Sequence, residues 1–219
     1  MRIKITIILL LFVAIFSTNT VSAQNTDRTL FRAGIIAGFS PSSYKLNGSL
    51  LVTSDMIVGY NVGPVLEFLP LNFLTFQGAV LFMAKGGKLT QAGSQTTYRA
   101  NYVELPLTLR VKPSIGENAR VYFGGGVYYG FAVGGRYQTE FENVKGSRSI
   151  RFGSGSDKDL TRADVGLVAQ AGFELGNRFD IGATYYHGTN DVYKGSTFRA
   201  SNRSFSINAI VYIFRTSLN

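Results

Sequence analysis

The sequence predicts an all-β protein, an eight-stranded antiparallel up-and-down transmembrane β-barrel that follows a cleaved signal peptide. Three observations support this fold class. The chain begins with an export signal, about eight later segments alternate between apolar and polar residues, and the connections between them are alternately short and long. Strands of roughly ten residues with one apolar face are long enough to cross a bilayer at a tilt.

The first element is the signal peptide. Two basic residues in MRIK precede an apolar run from Ile5 to Phe16, and the small residues Val-Ser-Ala end at Ala23. This is the order of a secretory signal and its cleavage site. We expect cleavage between Ala23 and Gln24, so that residues 1–23 are removed and residues 24–219 form one barrel domain. A membrane anchor is the alternative, but a spanning helix needs about 20 residues.

The strands follow. The clearest is NYVELPLTLRVK, from Asn101 to Lys112, in which the odd-numbered residues from Val103 to Val111 are apolar and the even-numbered set carries charges of both signs. A period of two is typical of a β-strand with two different faces. The segments that alternate in this way are 33–40, 58–68, 74–85, 101–112, 120–133, 164–175, 179–186 and 205–213. Their number predicts eight strands.

Glycine on the polar face indicates which face points inward. A soluble, lipocalin-like barrel would also alternate, with its apolar face inside and charged side chains outside. Here the polar face instead contains Gly34, Gly38, Gly59, Gly63, Gly124, Gly126, Gly130, Gly166, Gly172 and Gly182. Glycine weakens a strand unless neighbouring groups approach closely, as they do inside a narrow barrel. We therefore expect the apolar face to contact lipid, and the soluble barrel is the alternative.

The connections fit the layout of an outer-membrane barrel. Three are short: Leu69 to Phe73, Pro113 to Asn118, and Gly176 to Arg178. Four are longer: Pro41 to Asp55, Gly86 to Arg99, Gly135 to Arg162, and Gly188 to Asn202. Such barrels have tight periplasmic turns and long extracellular loops. We expect the four long connections to be extracellular.

The amino-acid composition excludes or disfavours several classes of function. The chain has no cysteine, which excludes a disulfide scaffold and a thiolate metal site. Its formal net charge is +9, but an exported chain meets little nucleic acid, and the basic residues form no helical stripe. We expect no nucleic-acid partner, no cofactor and no bound metal.

Charged residues on the inward face predict a closed lumen. Eight strands enclose a space that side chains can fill. The inward charges are Glu67, Glu104, Arg110, Arg120, Glu174 and Asp180. Buried charges are tolerated when they are paired, and arginine suits bidentate pairing with carboxylates. We expect a cross-linked polar plug, and a small-solute channel is an alternative because the glycines leave space.

Basic residues near the ends of the long connections are candidate lipid contacts. They are Lys88, Arg99, Arg136, Arg162 and Arg203. Phosphate groups of lipid A offer charge-assisted partners at this level, although these residues could equally be solvated loop charges. The expected partners are therefore outer-membrane lipid and lipopolysaccharide, with an extracellular or secretion-system protein as a further expectation. The barrel itself is expected to be monomeric.

The strands also resemble a known family. NYVELPLTLRVK is similar to the strand signature of the outer-membrane β-barrel family common in Bacteroidota, described as PorT-like or as a porin family. The resemblance continues through FQGAVLFMAKGGK, YFGGGVYYGF, DVGLVAQAGFEL, RFDIGATYYHG and SINAIVYIF, and so covers nearly the whole mature chain. It implies an eight-stranded barrel in the outer membrane but no single activity. PorT-like members are associated with a secretion system and gliding.

A non-enzymatic structural, adhesion or secretion-accessory role is the favoured function. The enzymatic alternative is a lipid A deacylase, because such enzymes pair a histidine with a hydroxyl two residues later, as His187 and Thr189 are spaced. A nucleophile also needs an orienting carboxylate, for which Asp191 is the nearest candidate. A two-residue match is a weak motif. We expect His187 to be a rim residue without a catalytic role.

Overall fold

The protein is described by a computed structural model that covers residues 28–48, 52–91, 94–141, 144–155, 157–194 and 198–218. The predicted signal peptide, with Ala23 and Gln24, lies outside these residues. All named secondary-structure elements within them are β-strands. No helix long and apolar enough to cross a membrane occurs among the described residues. The all-β prediction is confirmed.

Twelve strands are assigned within the described residues. They are β1 (Arg28–Phe39), β2 (Ser42–Asn47), β3 (Val52–Asp55), β4 (Tyr60–Leu71), β5 (Leu74–Ala79), β6 (Leu81–Gln91), β7 (Ser94–Val111), β8 (Ala119–Phe141), β9 (Val144–Ser149), β10 (Ala163–Leu175), β11 (Phe179–Gly188) and β12 (Arg199–Leu218).

Antiparallel pairing closes the long strands into a ring. β1 pairs with β4 on one side and with β12 on the other. From β4 the pairing continues through β5 and β6 to β7, β8, β10, β11 and back to β12. Because β5 and β6 occupy one place, the ring has eight positions, as the sequence predicts. The short strands β2, β3 and β9 pair with β12, β6 and β8 outside this ring.

β5 and β6 are one strand interrupted at Val80. Val65 pairs with Ala79 and Val62 pairs with Phe82, so the register against β4 is the same on both sides of the break. Val80 donates its N–H to the carbonyl of Pro64 at 3.0 Å. Proline has no N–H to return, so the ladder loses one bond there without a change of direction.

The apolar alternate residues point outward. Leu107 is 62% exposed, and its neighbours Leu105 and Leu109 are exposed as well, whereas Glu104 and Arg110 on the same strand are buried. On the other ring strands the outward residues are likewise mostly apolar, while the inward face is mostly polar but also holds buried apolar side chains such as Val65, Leu81 and Ile210. This is the orientation predicted from the glycine pattern, with the polar face inside. The close approach is evident at Gly126, where an added Cβ would overlap the carbonyl oxygen of Leu107 on the adjacent strand.

The two ends of the ring differ. At one end, here called the turn end, β4 and β5 are joined by residues 72–73, β7 and β8 by residues 112–118, and β10 and β11 by residues 176–178. In the last of these turns Gly176 and Asn177 adopt left-handed backbone conformations with φ of 58° and 54°, which glycine and asparagine tolerate best. The opposite end, with the longer connections, is called the loop end.

The longer connections contain more strand than predicted. β6 runs to Gln91 and β7 starts at Ser94, so most of the connection predicted from Gly86 to Arg99 is a paired hairpin. β8 likewise continues to Phe141 and pairs with β9. The sequence prediction ended these strands where the apolar alternation ended. Backbone pairing continues beyond that point because the hydrogen bonds of a ladder do not depend on an apolar face.

Candidate functional site

Among the residues that the structure describes, the interior of the ring holds five acidic and five basic side chains, and these form the candidate site. Nine of them are buried, and the tenth, Arg120, is one-quarter exposed. They separate into two groups along the lumen. The turn-end cluster consists of Arg32, Glu67, Arg110, Lys112, Arg120, Glu174 and Asp180. The mid-lumen cluster consists of Lys85, Glu104 and Asp164.

Glu67 is the centre of the turn-end cluster. Its Oε1 accepts hydrogen bonds from Nη1 of Arg110 at 2.9 Å and from Nε2 of Gln77 at 3.0 Å. Its Oε2 accepts from Nε of Arg32 at 3.0 Å and from Nζ of Lys112 at 2.9 Å, and Nη2 of Arg32 contacts the same oxygen. One carboxylate therefore joins three cations: Arg32 from β1, Arg110 from the end of β7, and Lys112 directly after that strand.

The other two acids extend this network across the lumen. Glu174 Oε2 accepts from Arg32 at 2.7 Å and from Lys112 at 2.9 Å, and its Oε1 lies 3.3 Å from Arg120. Asp180 accepts from Arg110 at 3.0 Å through Oδ2. The cluster thus connects β1, β4, β7, β8, β10 and β11, which lie on different sides of the ring.

Aromatic and amide side chains complete the turn-end cluster. The Arg32 guanidinium lies over the ring of Tyr212 at 3.8 Å, and Arg110 lies over Tyr122 at 4.4 Å. The Tyr212 hydroxyl donates to Asp180 at 3.1 Å, and Gln170 accepts from Arg110 at 2.7 Å. Cations stacked on rings and bonded to carboxylates are compensated for the loss of water, and Nε of Arg110 and Oδ1 of Asp180 are the atoms of these charged groups that have no hydrogen-bond partner among the described residues. The cluster is a filled polar plug.

The mid-lumen cluster is built around one ammonium group. Nζ of Lys85 lies 2.6 Å from Oε2 of Glu104 and 3.1 Å from Oδ2 of Asp164. Asp164 also accepts from the Tyr128 hydroxyl at 3.1 Å and from the Asn202 amide at 2.9 Å. In contrast, Oε1 of Glu104 has no hydrogen-bond partner among the described residues. The two acids are therefore unequally satisfied.

The two clusters carry opposite formal charge. Four basic and three acidic side chains give the turn-end cluster one surplus positive charge. One lysine and two acids give the mid-lumen cluster one surplus negative charge. The interior is neutral when both are counted together. Since a charge in a low-dielectric interior is stabilised by an opposite one, each cluster compensates the other along the lumen.

The structure brings together five of the six predicted lumen charges. Glu67, Arg110, Arg120, Glu174 and Asp180 all belong to the turn-end cluster. Glu104 belongs instead to the mid-lumen cluster, because it precedes Arg110 on β7 by six residues and so lies nearer the loop end. The single network expected from the sequence is therefore two networks.

Sequence reasoning missed four members of these clusters: Arg32, Lys85, Lys112 and Asp164. Lys85, Lys112 and Asp164 stand in the polar phase of predicted strands, so the alternation itself contained the signal. Arg32 precedes the first predicted strand segment by one residue, whereas β1 already starts at Arg28. Extending the same phase back from Gly34 by two residues identifies it.

The five candidate lipid contacts all lie at the loop end. Arg99 and Arg136 are exposed and face each other across β7 and β8. Arg99 donates to the carbonyl of Val58 at 3.0 Å. The Arg162 guanidinium lies 5.7 Å from the centroid of Phe131. Lys88 and Arg203 are partly buried.

The residues of the possible lipid A deacylase site are engaged in other contacts. Nδ1 of His187 lies 3.4 Å from the hydroxyl of Tyr185. The Thr189 hydroxyl donates to the carbonyl of Val165 at 3.0 Å. Asp191 accepts from the backbone N–H groups of Tyr193 and Ala200. Each side chain therefore has a local structural contact, and the three are not drawn into one hydrogen-bonded relay.

The loop end is filled by apolar and aromatic side chains. Tyr193 stacks on Phe198 with ring centroids 4.5 Å apart, and Tyr98 packs against Tyr137 at 5.6 Å. Leu160 and Val192 are buried in the same region, together with Ala100, Ala132 and Ile150. This apolar cap covers the interior on the side opposite the turn-end cluster.

One ion pair fixes the connection from β9 to β10 outside the ring. Arg148 donates to both carboxylate oxygens of Asp159, at 2.8 and 2.9 Å, and to the Tyr137 hydroxyl at 2.6 Å. Partial burial acts to raise the pKa of Asp159, but the hydrogen bonds from Arg148 and from the backbone of Arg151 outweigh it and lower that pKa below its usual value. The carboxylate therefore stays charged at neutral pH.

The family comparison agrees with the observed architecture. The family model for the outer membrane protein beta-barrel domain matches residues 22–194. Among solved structures, the chain is similar to Ail, the attachment invasion locus protein of Yersinia pestis, with 14% identity, a TM-score of 0.41 and coverage of 84% of this chain and 99% of that one.

A second similar structure is Neisserial surface protein A, with 13% identity, a TM-score of 0.42 and coverage of 82% of this chain and 96% of that one. A third is the N-terminal β-barrel domain of Pseudomonas aeruginosa OprF, with 8% identity, a TM-score of 0.31 and coverage of 83% and 99%. No curated protein matches the chain in sequence.

Proposed function

The chain belongs to the outer membrane protein β-barrel domain family and is an outer-membrane protein; on this premise we propose that it is a non-enzymatic, non-conducting barrel that presents its loop end to a partner. The proposed role is structural, adhesive or accessory to secretion. The proposal also includes export by a signal peptide that is cleaved after Ala23. Kinship with the PorT-like members of Bacteroidota is part of the proposal and rests on the strand motifs.

The observation that carries the proposal is the content of the lumen. The turn-end cluster links six strands through buried ion pairs, and the apolar cap fills the opposite end. An ion that crosses this interior has to displace side chains that are bonded to one another. Eight strands leave little further width. A small-solute channel is the competing function.

Electrical recording separates these two functions. Purified protein inserted in a planar lipid bilayer is expected to give no steady single-channel current, with a general porin in the same bilayer as the positive control. The inserted protein is verified by its heat-dependent mobility on gels. A stable, ion-selective open pore in the unmodified protein would establish the channel and overturn the proposal.

The orientation in the membrane is also proposed: loop end outside, turn end in the periplasm. It is supported by the asymmetry of the connections, because outer-membrane barrels have short periplasmic turns. Protease added to intact cells should cut near Arg148 or Arg151 and leave residues 113–118 uncut. Protection near Arg151 together with cleavage in residues 113–118 would invert the orientation.

The outer face at the loop end is proposed to contact lipid A. The support is the group of cations Lys88, Arg99, Arg136, Arg162 and Arg203 close to the lipid-facing band, where phosphates can accept charge-assisted bonds. Charge reversal of several of them should reduce the lipopolysaccharide that co-purifies with the protein. Lys158, in the β9–β10 connection, serves as the control for a loop cation. Equal co-purification in all variants would leave these residues as solvated charges.

The absence of enzymatic activity is tested at His187. The His187→Ala variant and the unmodified protein should leave the same pattern of lipid A acylation in mass spectra of the host membrane. This is expected because His187, Thr189 and Asp191 each make a separate local contact. A change in acylation that depends on the imidazole would assign a deacylase instead.

A further inference from the structure

Two prolines of the barrel wall flank the same short segment, residues 79–80, where β5 ends and β6 begins. Proline has no N–H group and is normally confined to edge strands, to the first residue of a strand or to bulges. Pro64 and Pro106 instead lie inside β4 and β7, and both of these strands pair with neighbours on two sides. Departures from local rules of this kind are expected at functional positions.

On the β4 side, one carbonyl lacks the donor that the ladder would supply. Val65 pairs with Ala79, so Pro64 stands opposite Val80. Val80 donates its N–H to the carbonyl of Pro64 at 3.0 Å, which makes this a hydrogen-bonded pair. In such a pair each residue donates to the other, but Pro64 has no N–H to donate. The carbonyl of Val80 therefore faces a proline nitrogen.

On the β7 side, the same loss occurs one residue earlier. The register places Pro106 opposite Ala79. The hydrogen-bonded pairs of this ladder include Phe73 with Lys112, whose N–H donates to the carbonyl of Phe73 at 2.7 Å. Such pairs recur at every second residue, so Ala79 belongs to one and its carbonyl also faces a proline nitrogen. Two consecutive carbonyls thus lack their cross-strand donors, on opposite sides of the strand.

This segment lies in the middle of the lipid-facing band. On β4, Pro64 is four residues from Tyr60 and four from Phe68. Tyr60 lies 6.3 Å from Phe82 between ring centroids, and Phe68 lies 4.9 Å from Phe31. Aromatic residues mark the two membrane interfaces of such barrels, and the eight strand residues between these two groups span about 27 Å. A missing donor at this depth is not replaced by water from the bilayer.

The interior directly behind the segment is apolar. A group of buried residues, here called the apolar layer, consists of Ile36, Val65, Leu81, Ile210 and Tyr212, and the partly buried Ala79 packs against it. Val65 is two residues from Glu67 of the turn-end cluster. Leu81 pairs with Glu104 of the mid-lumen cluster. The apolar layer therefore lies between the two charged clusters.

Opening the wall at this segment costs less than opening it elsewhere in the ring. In an intact ladder its two residues would make four cross-strand hydrogen bonds, and the prolines remove two of them. Exposing the apolar layer to the bilayer also costs little, because lipid chains are as apolar as leucine. At this depth the surrounding bilayer consists of acyl chains. They are the molecules that an opening would meet.

We propose that residues 79–80 are a lateral seam in the barrel wall, which opens towards the bilayer and lets an acyl chain of the surrounding lipid reach the apolar layer. Val80, which is 47% exposed, moves outward with the loss of its bond to Pro64. The charged clusters on both sides stay in place, so the seam provides no path for ions. The inference requires a barrel in the outer membrane and is independent of the partner proposed for the loop end.

Photolabelling from the lipid phase tests the seam in the unmodified full chain. The protein is reconstituted in vesicles of a phospholipid that carries a diazirine in the middle of one acyl chain, then illuminated and mapped by mass spectrometry. Label is expected on outward residues all around the ring and, in addition, on the buried Val65 and Leu81. Val168, also buried, is the control, because neither β8 nor β11 beside it contains a proline. Label confined to outward residues, or equal label on Val168, would overturn the proposal.

Returning both missing donors should close the seam. In the Pro64→Ala, Pro106→Ala double variant two hydrogen bonds are restored, and label on Val65 and Leu81 should fall roughly tenfold. Pro70→Ala, on β4 but away from the seam, is the matched control and should label like the unmodified protein. Heat-dependent mobility on gels and unchanged label on outward residues verify folding. Undiminished label on Leu81 in the double variant would show that acyl chains do not enter through the seam.

A water-soluble, charged diazirine separates lipid from water as the occupant. It should leave Val65 and Leu81 unlabelled in the unmodified protein, while it labels the exposed loop end. Label on Leu81 from the aqueous phase, without label from the lipid phase, would mean that water reaches the apolar layer through the lumen. That result would contradict both the seam and the closed lumen, whereas the loss of lipid-phase label alone would contradict only the seam.

Discussion

The turn-end and mid-lumen clusters stabilise buried charges in different ways. Both keep charged groups buried inside a narrow ring of strands. At the turn end, each acid accepts bonds from one or more arginine or lysine side chains, and Glu67 and Glu174 each contact three. In the middle of the lumen, two acids share the single ammonium of Lys85.

This difference indicates which of the two clusters contributes more to the stability of the protein. Pairing and hydrogen bonding decide whether a buried charge is tolerated. Glu67 and Glu174 each contact three cations, so removing either takes one acceptor from three cations at once. Glu104 has one close cation and a free oxygen, so its removal leaves Lys85 still paired with Asp164. The turn-end cluster is the stabilising plug, and the mid-lumen cluster is a weaker one.

The largest expected effect is at Glu67. The Glu67→Ala variant should lose about 3–5 kcal/mol of unfolding free energy, because Arg32, Arg110 and Lys112 remain buried with one acceptor fewer each. Equilibrium unfolding in urea from lipid vesicles measures it. Glu140→Ala is the control, since the exposed Glu140–Lys145 pair should contribute no more than about 1 kcal/mol. Equal losses in both variants would remove the distinction between plug and surface.

A smaller loss is expected at Asp164. The Asp164→Asn variant keeps the shape of the side chain but weakens its bonds to Lys85, Tyr128 and Asn202. A hydrogen bond to a charged group contributes about 1.5–3 kcal/mol, and the loss should fall in this range in the same unfolding experiment. Asp157→Asn, in the exposed connection after β9, is the matched control. A loss of unfolding free energy as large as that of the Glu67→Ala variant would mean that the two clusters stabilise the protein equally.

Among the three buried acids chosen for substitution, Glu67, Asp164 and Glu104, the last should be the least sensitive. Glu104→Gln removes the surplus negative charge of the mid-lumen cluster and leaves the Lys85–Asp164 pair in place. Its unfolding free energy should change by less than about 1 kcal/mol. A double-mutant cycle with Asp164→Asn should then show coupling, because the second change leaves Lys85 without any carboxylate. Additive losses would mean that the two acids act independently.

The smallest effect concerns the exposed ion pair of the β9–β10 connection. Since hydrogen bonds lower the pKa of Asp159 in the folded protein, the stabilisation is present above the usual aspartate pKa of about 3.9 and is lost as the pH falls through the lowered pKa. Amide exchange at Arg151 and Asp159 should therefore accelerate only in acid. In the Arg148→Met variant this exchange should already be fast at neutral pH. Identical pH profiles would show that the pair does not hold the connection.

The sequence alone predicted the eight-stranded ring and five of the seven members of the turn-end cluster. Alternation fixes the face of every strand residue, so Glu67, Arg110, Glu174 and Asp180 could be assigned to the interior, and the directions of the strands place them at one end. Arg32 was missed because the predicted segment began at Ala33, although the apolar alternation extends back to Phe31. Strand extension at the loop end was missed for the related reason that backbone pairing continues beyond the lipid-facing residues.

The division of the charges into two clusters could not be predicted in the same way. Alternation gives the face of a residue but not its height relative to residues on other strands. Height depends on register, for example the pairing of Glu104 with Leu81 and Gly130, which follows from the stagger of the whole ring. The partnership of Lys85 with both Glu104 and Asp164 is a consequence of that stagger.

Solvent access to Thr108 tests the central claim, a closed lumen, most directly. Thr108 lies between the two clusters and is buried. Its hydroxyl accepts a hydrogen bond from Nε2 of Gln170. The chain has no cysteine, so Thr108→Cys introduces a single thiol, with Ser147→Cys on exposed β9 as the control. A hydrophilic maleimide should label the control rapidly and Thr108→Cys only after unfolding. Labelling of the folded Thr108→Cys protein as fast as the control would show an open, water-filled lumen and contradict the account.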